Sequence, residues 1–214
     1  MANGKTPPQT ANNEVEITLG LLNAVQENDS PTQRSMAKEL GIALGLANAY
    51  LKRCVKKGHI KVRQIPKNRY AYYLTPQGFA EKSRLTAEYL SQSFNFFRLA
   101  RNDCKELFSH AQARGWRRVA FFGVSDLCEI ATLCARDFPV TLAGIVDGQA
   151  NRPNFAGLRV EGSLESLGTV DAIVITDLTH PQAAFEAAGL VISADRILTP
   201  GFLHISRREP KLEE

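Results

Sequence analysis

Ten cations lie between Ser30 and Tyr70: Arg34, Lys38, Lys52, Arg53, Lys56, Lys57, Lys61, Arg63, Lys67 and Arg69. The only acid in that window is Glu39, which leaves a local charge of +9. Such a surplus is the footprint of a surface that meets phosphates; a solvated basic face is the plainer reading of the same charges. A second group has other chemistry. Gly123-Val124-Ser125-Asp126 follows one short apolar run, and Asp147 closes the next. A glycine turn after one strand and an acid after the following strand is how α/β folds hold a phosphate and a ribose hydroxyl. Here only the first glycine of a GxGxxG loop is present. Ser125 offers a hydroxyl, and Asp126 puts a negative charge where an anion would sit. Asp147 is either a ribose ligand or a simple turn residue. His180, in Asp177-Leu178-Thr179-His180-Pro181, stands beside one carboxylate. It reads as half of an acid/base pair or as the cap of a helix opened by Pro181.

These residues are carried by 214 positions, enough for one large domain or two small ones. A hydrophobic fraction of 44% and a charged fraction of 22% exclude a wholly disordered or fibrous chain. The net charge of +4 is unevenly spread. Residues 1–115 hold 17 Lys and Arg against 9 Asp and Glu, whereas residues 116–214 hold 9 against 13. Cys54, Cys104, Cys128 and Cys134 form no CxxC pair, which argues against a zinc site or a disulfide framework. No apolar stretch approaches the ~20 residues of a bilayer span, and residues 1–13 lack a signal-peptide core. The expectation is a cytoplasmic protein with a disordered tail over 1–13, no metal site and no catalytic set.

A regular succession of elements carries the cations. Ile17, Leu21, Leu22 and Val25 are helically spaced, which predicts a helix over 14–26. Thr32 caps a second, short helix over 33–40, closed by Gly41. A third, over 43–57, buries Ala47, Leu51 and Cys54 and turns Leu44, Gly45, Asn48, Ala49, Lys52 and Lys56 outward before Gly58 stops it. Two helices joined by a glycine turn, the second outwardly basic, make a helix-turn-helix. His59–Ile65 and Tyr70–Leu74 read as strands about the turn Pro66-Lys67-Asn68-Arg69, a hairpin with a cationic tip. Thr75-Pro76 opens the next helix.

The run SPTQRSMAKELGIALGLANAYLKRCVKKGHIKVRQ, followed by YAYYLTPQGFAEKSRLT, resembles the winged helix-turn-helix of MarR-type regulators. It is most similar to the small regulators associated with exopolysaccharide operons, over about residues 14–86. It departs from them at Ala43, where they carry a serine cap. The resemblance implies a partner of double-stranded DNA. Asn48, with Leu44 and Gly45 in the exposed first turn, would meet base edges, since Asn can pair bidentately with adenine. Lys52, Arg53 and Lys56 would meet phosphate, as would Thr32, Gln33 and Arg34 at the start of the second helix. Arg63 belongs to the same surface, and Lys67, Asn68 and Arg69 on the wing would enter or flank the minor groove.

Between Gly78 and Gly115 there is neither glycine nor proline. That predicts one helix from Gln77 to about Arg114. Ala87, Leu90, Phe94, Phe97, Arg101, Cys104, Phe108 and Ala111 recur on it at spacings of three and four, a heptad seam interrupted at Arg101. The expected use is a homodimer interface, because helix-turn-helix proteins read two half-sites by two-fold symmetry and the MarR resemblance implies dimerisation. Packing of the stripe on the chain's own domains is the alternative.

In the C-terminal half, 118–122, 140–146, 158–160, 171–176 and 196–198 read as strands, with helices over 126–136 and 181–188. Strands alternating with helices predict a parallel sheet covered on both faces. The runs RVAFFGVSDLCEIATL, VTLAGIVDG and VDAIVITDLTHPQAAFEAA resemble Rossmann-type domains over about residues 116–206. Similar domains occur in nucleotide-sugar enzymes, CoA-binding-like proteins and redox-sensing repressors. The resemblance implies a nucleotide or nucleotide-sugar near Gly123, Ser125, Asp126 and Asp147.

The expected fold is thus α/β plus winged helix. A winged helix-turn-helix covers 14–76, a connecting and dimerisation helix 77–115, a Rossmann-like parallel sheet 116–206 and a tail 207–214. The expected function is a dimeric, sequence-specific transcriptional regulator and not an enzyme. The rival is a small NAD(P)- or nucleotide-sugar-dependent enzyme with an accessory winged helix. Against it stand the degraded glycine loop and the lack of a YxxxK pair after the fourth strand.

Overall fold

Helix α1 runs from Pro8 to Glu27, six residues longer at its start than the apolar periodicity predicts. Proline is preorganised for a first helical turn and needs no N–H partner there, and nothing between Pro8 and Glu14 breaks a helix. The tail expected over 1–13 is therefore helical from Pro8 onward. The computed structural model describes residues 8–28, 30–65 and 69–207. The chain divides into two units, residues 1–94 and 95–214.

In the first unit, α1 buries Leu21, Leu22 and Ala24 completely. Helix α2 (Gln33–Glu39) opens on a reciprocal cap. The Ser35 N–H donates to Thr32 Oγ1 at 3.0 Å, and the Thr32 N–H to Ser35 Oγ at 2.9 Å. Two otherwise orphaned helix donors are satisfied this way, an arrangement worth about 1 kcal/mol. Gly41 turns the chain at φ +62°, and α3 (Leu44–Lys56) packs Ala47, Leu51 and Cys54 inward as their spacing predicts. Strands β1 (Ile60–Ile65) and β2 (Arg69–Leu74) pair antiparallel, with Val62 opposite Tyr72.

The long helix α4 (Pro76–Ala113) starts against the corner between α3 and β1. Thr75 Oγ1 accepts the Gly78 N–H at 2.9 Å and donates to the Gly58 carbonyl at 2.6 Å. A Cβ on Gly78 would run into the His59 carbonyl, so this close seat needs glycine despite its cost inside a helix.

The second unit is a six-stranded sheet in the order β5-β6-β4-β3-β7-β8. Its strands are β3 (Arg118–Phe122), β4 (Thr141–Val146), β5 (Asn154–Phe155), β6 (Leu158–Glu161), β7 (Ala172–Ile175) and β8 (Ile197–Leu198). All pairings are parallel except β5 with β6. The two-residue β5 is too short to give a periodic signal in the sequence. Helix α5 (Asp126–Ala135) and the C-terminal part of α4 share one core with the sheet, and α6 (Pro181–Gly189) shares another. This is a Rossmann-like layering, with β3 central, β4 on one side and β7 on the other.

The apolar stripe of α4 divides in two. Cys104, Phe108 and Ala111 are buried in the second unit's own core, where the Phe108 ring lies 6.5 Å from Phe121 and 5.7 Å from Phe138. Cys104 and Phe108 are therefore not available to a subunit seam, because their own sheet and α5 already cover them. Ala87, Leu90, Phe94, Phe97 and Arg101 are exposed, Phe94 to 57%.

Candidate functional site

The outward side of α3 keeps the basic character read from the sequence. Gly45, Ala49, Lys52 and Lys56 are exposed, and Leu44 beside them is 42% exposed. Arg53 pairs with Glu14 at 2.5 Å, an exposed contact of the kind worth at most about 1 kcal/mol and easily exchanged for another anion. Asn48 is placed differently from its neighbours. Its Oδ1 is buried without a partner, so a bidentate contact to adenine requires the amide to turn outward.

The start of α2 is only partly available. The Thr32 hydroxyl is used as the helix cap, and Gln33 Nε2 donates to the Tyr72 hydroxyl at 3.1 Å, while Arg34 is exposed. Arg63 is exposed on β1, and Arg69 begins β2 opposite Ile65. Lys67 and Asn68 lie outside the described residues. A hollow of about 310 Å³ between α3 and the hairpin is lined by Gln33, Lys52, Val55, Lys56, Tyr70 and Tyr72, among others.

In the second unit a crevice of about 790 Å³ opens at the C-terminal ends of β3, β4 and β7. Ligands of open α/β sheets lie at such a position, where strand order reverses. Gly123, Asp147, Arg152, Asp177, Thr179 and His180 are among its lining residues, whereas Ser125 and Asp126 are not. Ser125 caps α5, accepting the Cys128 N–H at 3.3 Å and donating to the Thr176 carbonyl at 2.5 Å. The turn into α6 is held by Asp177, whose Oδ1 accepts the Thr179 and His180 N–H groups at 2.7 and 2.8 Å. His180 stands at the N-cap of α6 but makes no side-chain cap, so the cap expected of it is not made, and the Asp177 carboxylate orders the turn just before the helix. No group of three or more metal-ligating side chains occurs among the described residues.

Residues 16–61 match the family model described as winged helix-turn-helix DNA-binding. The first unit is a winged helix-turn-helix. No curated protein matches the chain. Among solved structures, MepR of Staphylococcus aureus, a transcription regulator of the multidrug efflux pump MepA, is 26% identical, with a TM-score of 0.34. The alignment covers 39% of this chain and 62% of MepR, so the chain spans under two thirds of that protein. A MepR–DNA complex aligns at the same identity and TM-score over 39% and 60%. Human N-acetylserotonin methyltransferase in complex with SAM aligns at 9% identity over 84% and 73%, with a TM-score of 0.34. Superpositions this loose carry no argument about function.

Around the winged helix-turn-helix, sequence reasoning passed over two aromatic residues. Tyr70 and Tyr73 on β2 are 54% and 51% exposed. Strand alternation puts Tyr70 on the same side as buried Tyr72, so period two alone does not mark Tyr70 as exposed. It also passed over the carboxylate of Asp177 as a turn-builder, although an Asp shortly before a helix-opening proline is a recognisable signal. No described helix is long and apolar enough to cross a membrane.

Proposed function

We propose that the chain is a dimeric transcriptional regulator, not an enzyme, that binds operator DNA in the cytoplasm and takes a nucleotide-type effector in its Rossmann-like unit. The observation that carries this reading is the outward face of α3. Lys52 and Lys56 stand exposed there, in a winged helix-turn-helix with a local charge of +9. Phosphate contacts would place the helix, and Leu44, Gly45 and Asn48 would face the bases. Arg34 and Arg63 extend the same basic surface, and Lys67, Asn68 and Arg69 are proposed as the wing's contacts at the minor groove. Dimerisation is proposed through Ala87, Leu90, Phe94, Phe97 and Arg101, a stripe, apolar but for Arg101, that stays exposed among the described residues. The crevice supports an effector role, and its shift of the dimer between two states would couple it to DNA.

The test is duplex binding at several salt concentrations. Reversing Lys52 and Lys56 to Glu should weaken binding to every sequence. It should also lower the log–log salt slope by about 1 for each phosphate no longer neutralised. Unchanged affinity in that variant overturns the assignment of α3 to DNA.

A further inference from the structure

A Rossmann-type domain receives phosphate at the turn after its first strand, because the glycines let backbone N–H groups point at the anion. In this chain three of those groups point at the protein. The Gly123 N–H donates to the Val146 carbonyl at 2.9 Å, and the Val124 N–H to Asp147 Oδ2 at 2.9 Å. The Cys128 N–H is taken by Ser125 Oγ. The other oxygen of Asp147 accepts the Gln149 and Ala150 N–H groups at 2.9 and 3.1 Å. A carboxylate in the position of a ribose ligand is thus engaged by three backbone donors. Gly123 itself has φ +105°, and a Cβ there would lie 2.6 Å from Asp177. Its glycine serves the close approach of β3 to the β7 end and is not evidence of a ligand.

We infer that Asp147 is the resident anion of this turn. Its carboxylate takes the Val124 N–H, a backbone donor that the turn of a dinucleotide-binding domain would offer to its ligand. A phosphate entering the turn would have to displace it and leave its oxygens without their donors, which is unfavourable in a partly buried site. Pyrophosphate-linked ligands such as dinucleotides are therefore excluded from the turn. A ligand in the crevice would instead be held by other lining residues, among them Arg152, Asn151, Thr179 and His180. Asp147 is in this sense a specificity-determining residue. Asp126 is exposed outside the crevice and is not the excluding charge. This inference rests on the reading of the crevice as the effector site.

The experiment is calorimetric titration of inorganic pyrophosphate and of NAD⁺ into the full chain and three variants, with thermal unfolding of each. The wild type and Asp126→Ala should bind neither probe at millimolar concentration. Asp147→Ala should bind pyrophosphate at least tenfold more tightly than the wild type. Asp147→Asn removes the charge but keeps an acceptor for the Gln149–Ala150 turn, so it should show the same gain with less effect on unfolding. Binding of either probe to the wild type overturns the inference. An equal gain in Asp126→Ala also overturns it, because bare repulsion would then explain the exclusion. So does the absence of gain in a folded Asp147 variant. The broader effector reading has its own readout, the small molecules released from the denatured wild-type chain in mass spectrometry.

Discussion

Lys52 and Lys56 on α3 face outward, and among the described residues no acid pairs with either. At the mouth of the crevice, by contrast, Asp147 and Asp177 together accept five backbone N–H donors. One surface leaves these two charges open, and the other satisfies its two carboxylates within the chain. Exposed lysines cost little while water and counterions screen them, and a polyanion that releases those counterions gains by replacing them. Carboxylates half-buried at the end of a parallel sheet have less of that reservoir, and these two are paired as the chain folds. An unpaired outward charge is therefore informative about partners, whereas a carboxylate engaged by the backbone is first a piece of architecture.

That contrast breaks most visibly on α4, which carries both kinds of surface. Phe108→Ala should lower the stability of the second unit by about 3–5 kcal/mol, as replacing a large buried ring by a cavity does. Chemical denaturation followed by circular dichroism measures it. Phe94→Ser combined with Phe97→Ser should change stability by only about 0.5 kcal/mol yet halve the mass seen by light scattering. A monomeric wild type at micromolar concentration, or a large stability loss in the Phe94 and Phe97 variant, would show that the exposed stripe is not a seam.

A smaller effect is expected at Asp171. Its Oδ2 accepts the N–H groups of Arg118 and Arg117, each at 2.8 Å, and these bonds hold its carboxyl below the usual carboxylate range. A depressed folded-state pKa contributes stability above the unfolded value of about 3.9, and that contribution is lost as pH falls through the folded value. Asp171→Ala should cost about 1 kcal/mol at neutral pH. Asp171→Asn should flatten the stability profile below pH 4, and an unchanged acid limb would remove Asp171 from this role.

The smallest effect concerns thiol reactivity. Burial pushes the Cys104 and Cys128 thiols up to about 12, so neither forms an appreciable thiolate at pH 7.5. Iodoacetamide should label them only at the rate at which the second unit opens. Labelling much faster than unfolding would show that this interior is less closed than its carboxylates imply.

The sequence was most legible where a short pattern repeats. The 3–4 spacing of Ala47, Leu51 and Cys54 placed α3 to within a residue at each end, and the run Arg118–Phe122 is β3 as read. The start of α1 was not legible, because residues 8–13 carry no apolar residue except a proline and an alanine, and periodicity cannot count polar turns. The division of the α4 stripe was not legible either. Heptad spacing states which residues share a face, but not whether a second chain or the chain's own sheet covers it. At the crevice, spacing brought Gly123 and Asp147 together correctly. It could not show that the acid faces the loop's own N–H, because an internal hydrogen bond leaves no mark on spacing.

Ala43 begins α3 without a side-chain acceptor, in contrast to Thr32 at the start of α2. The amide protons of Leu44 and Gly45 are left to solvent, which makes them the fast-exchanging end of an otherwise slow helix. An acceptor offered there by a bound duplex would serve as the missing cap. The first turn of that helix would then be held more firmly on DNA, and tightening it would offset part of the binding enthalpy with lost entropy. An interface of that kind weakens on warming more steeply than one whose reading helix is rigid beforehand.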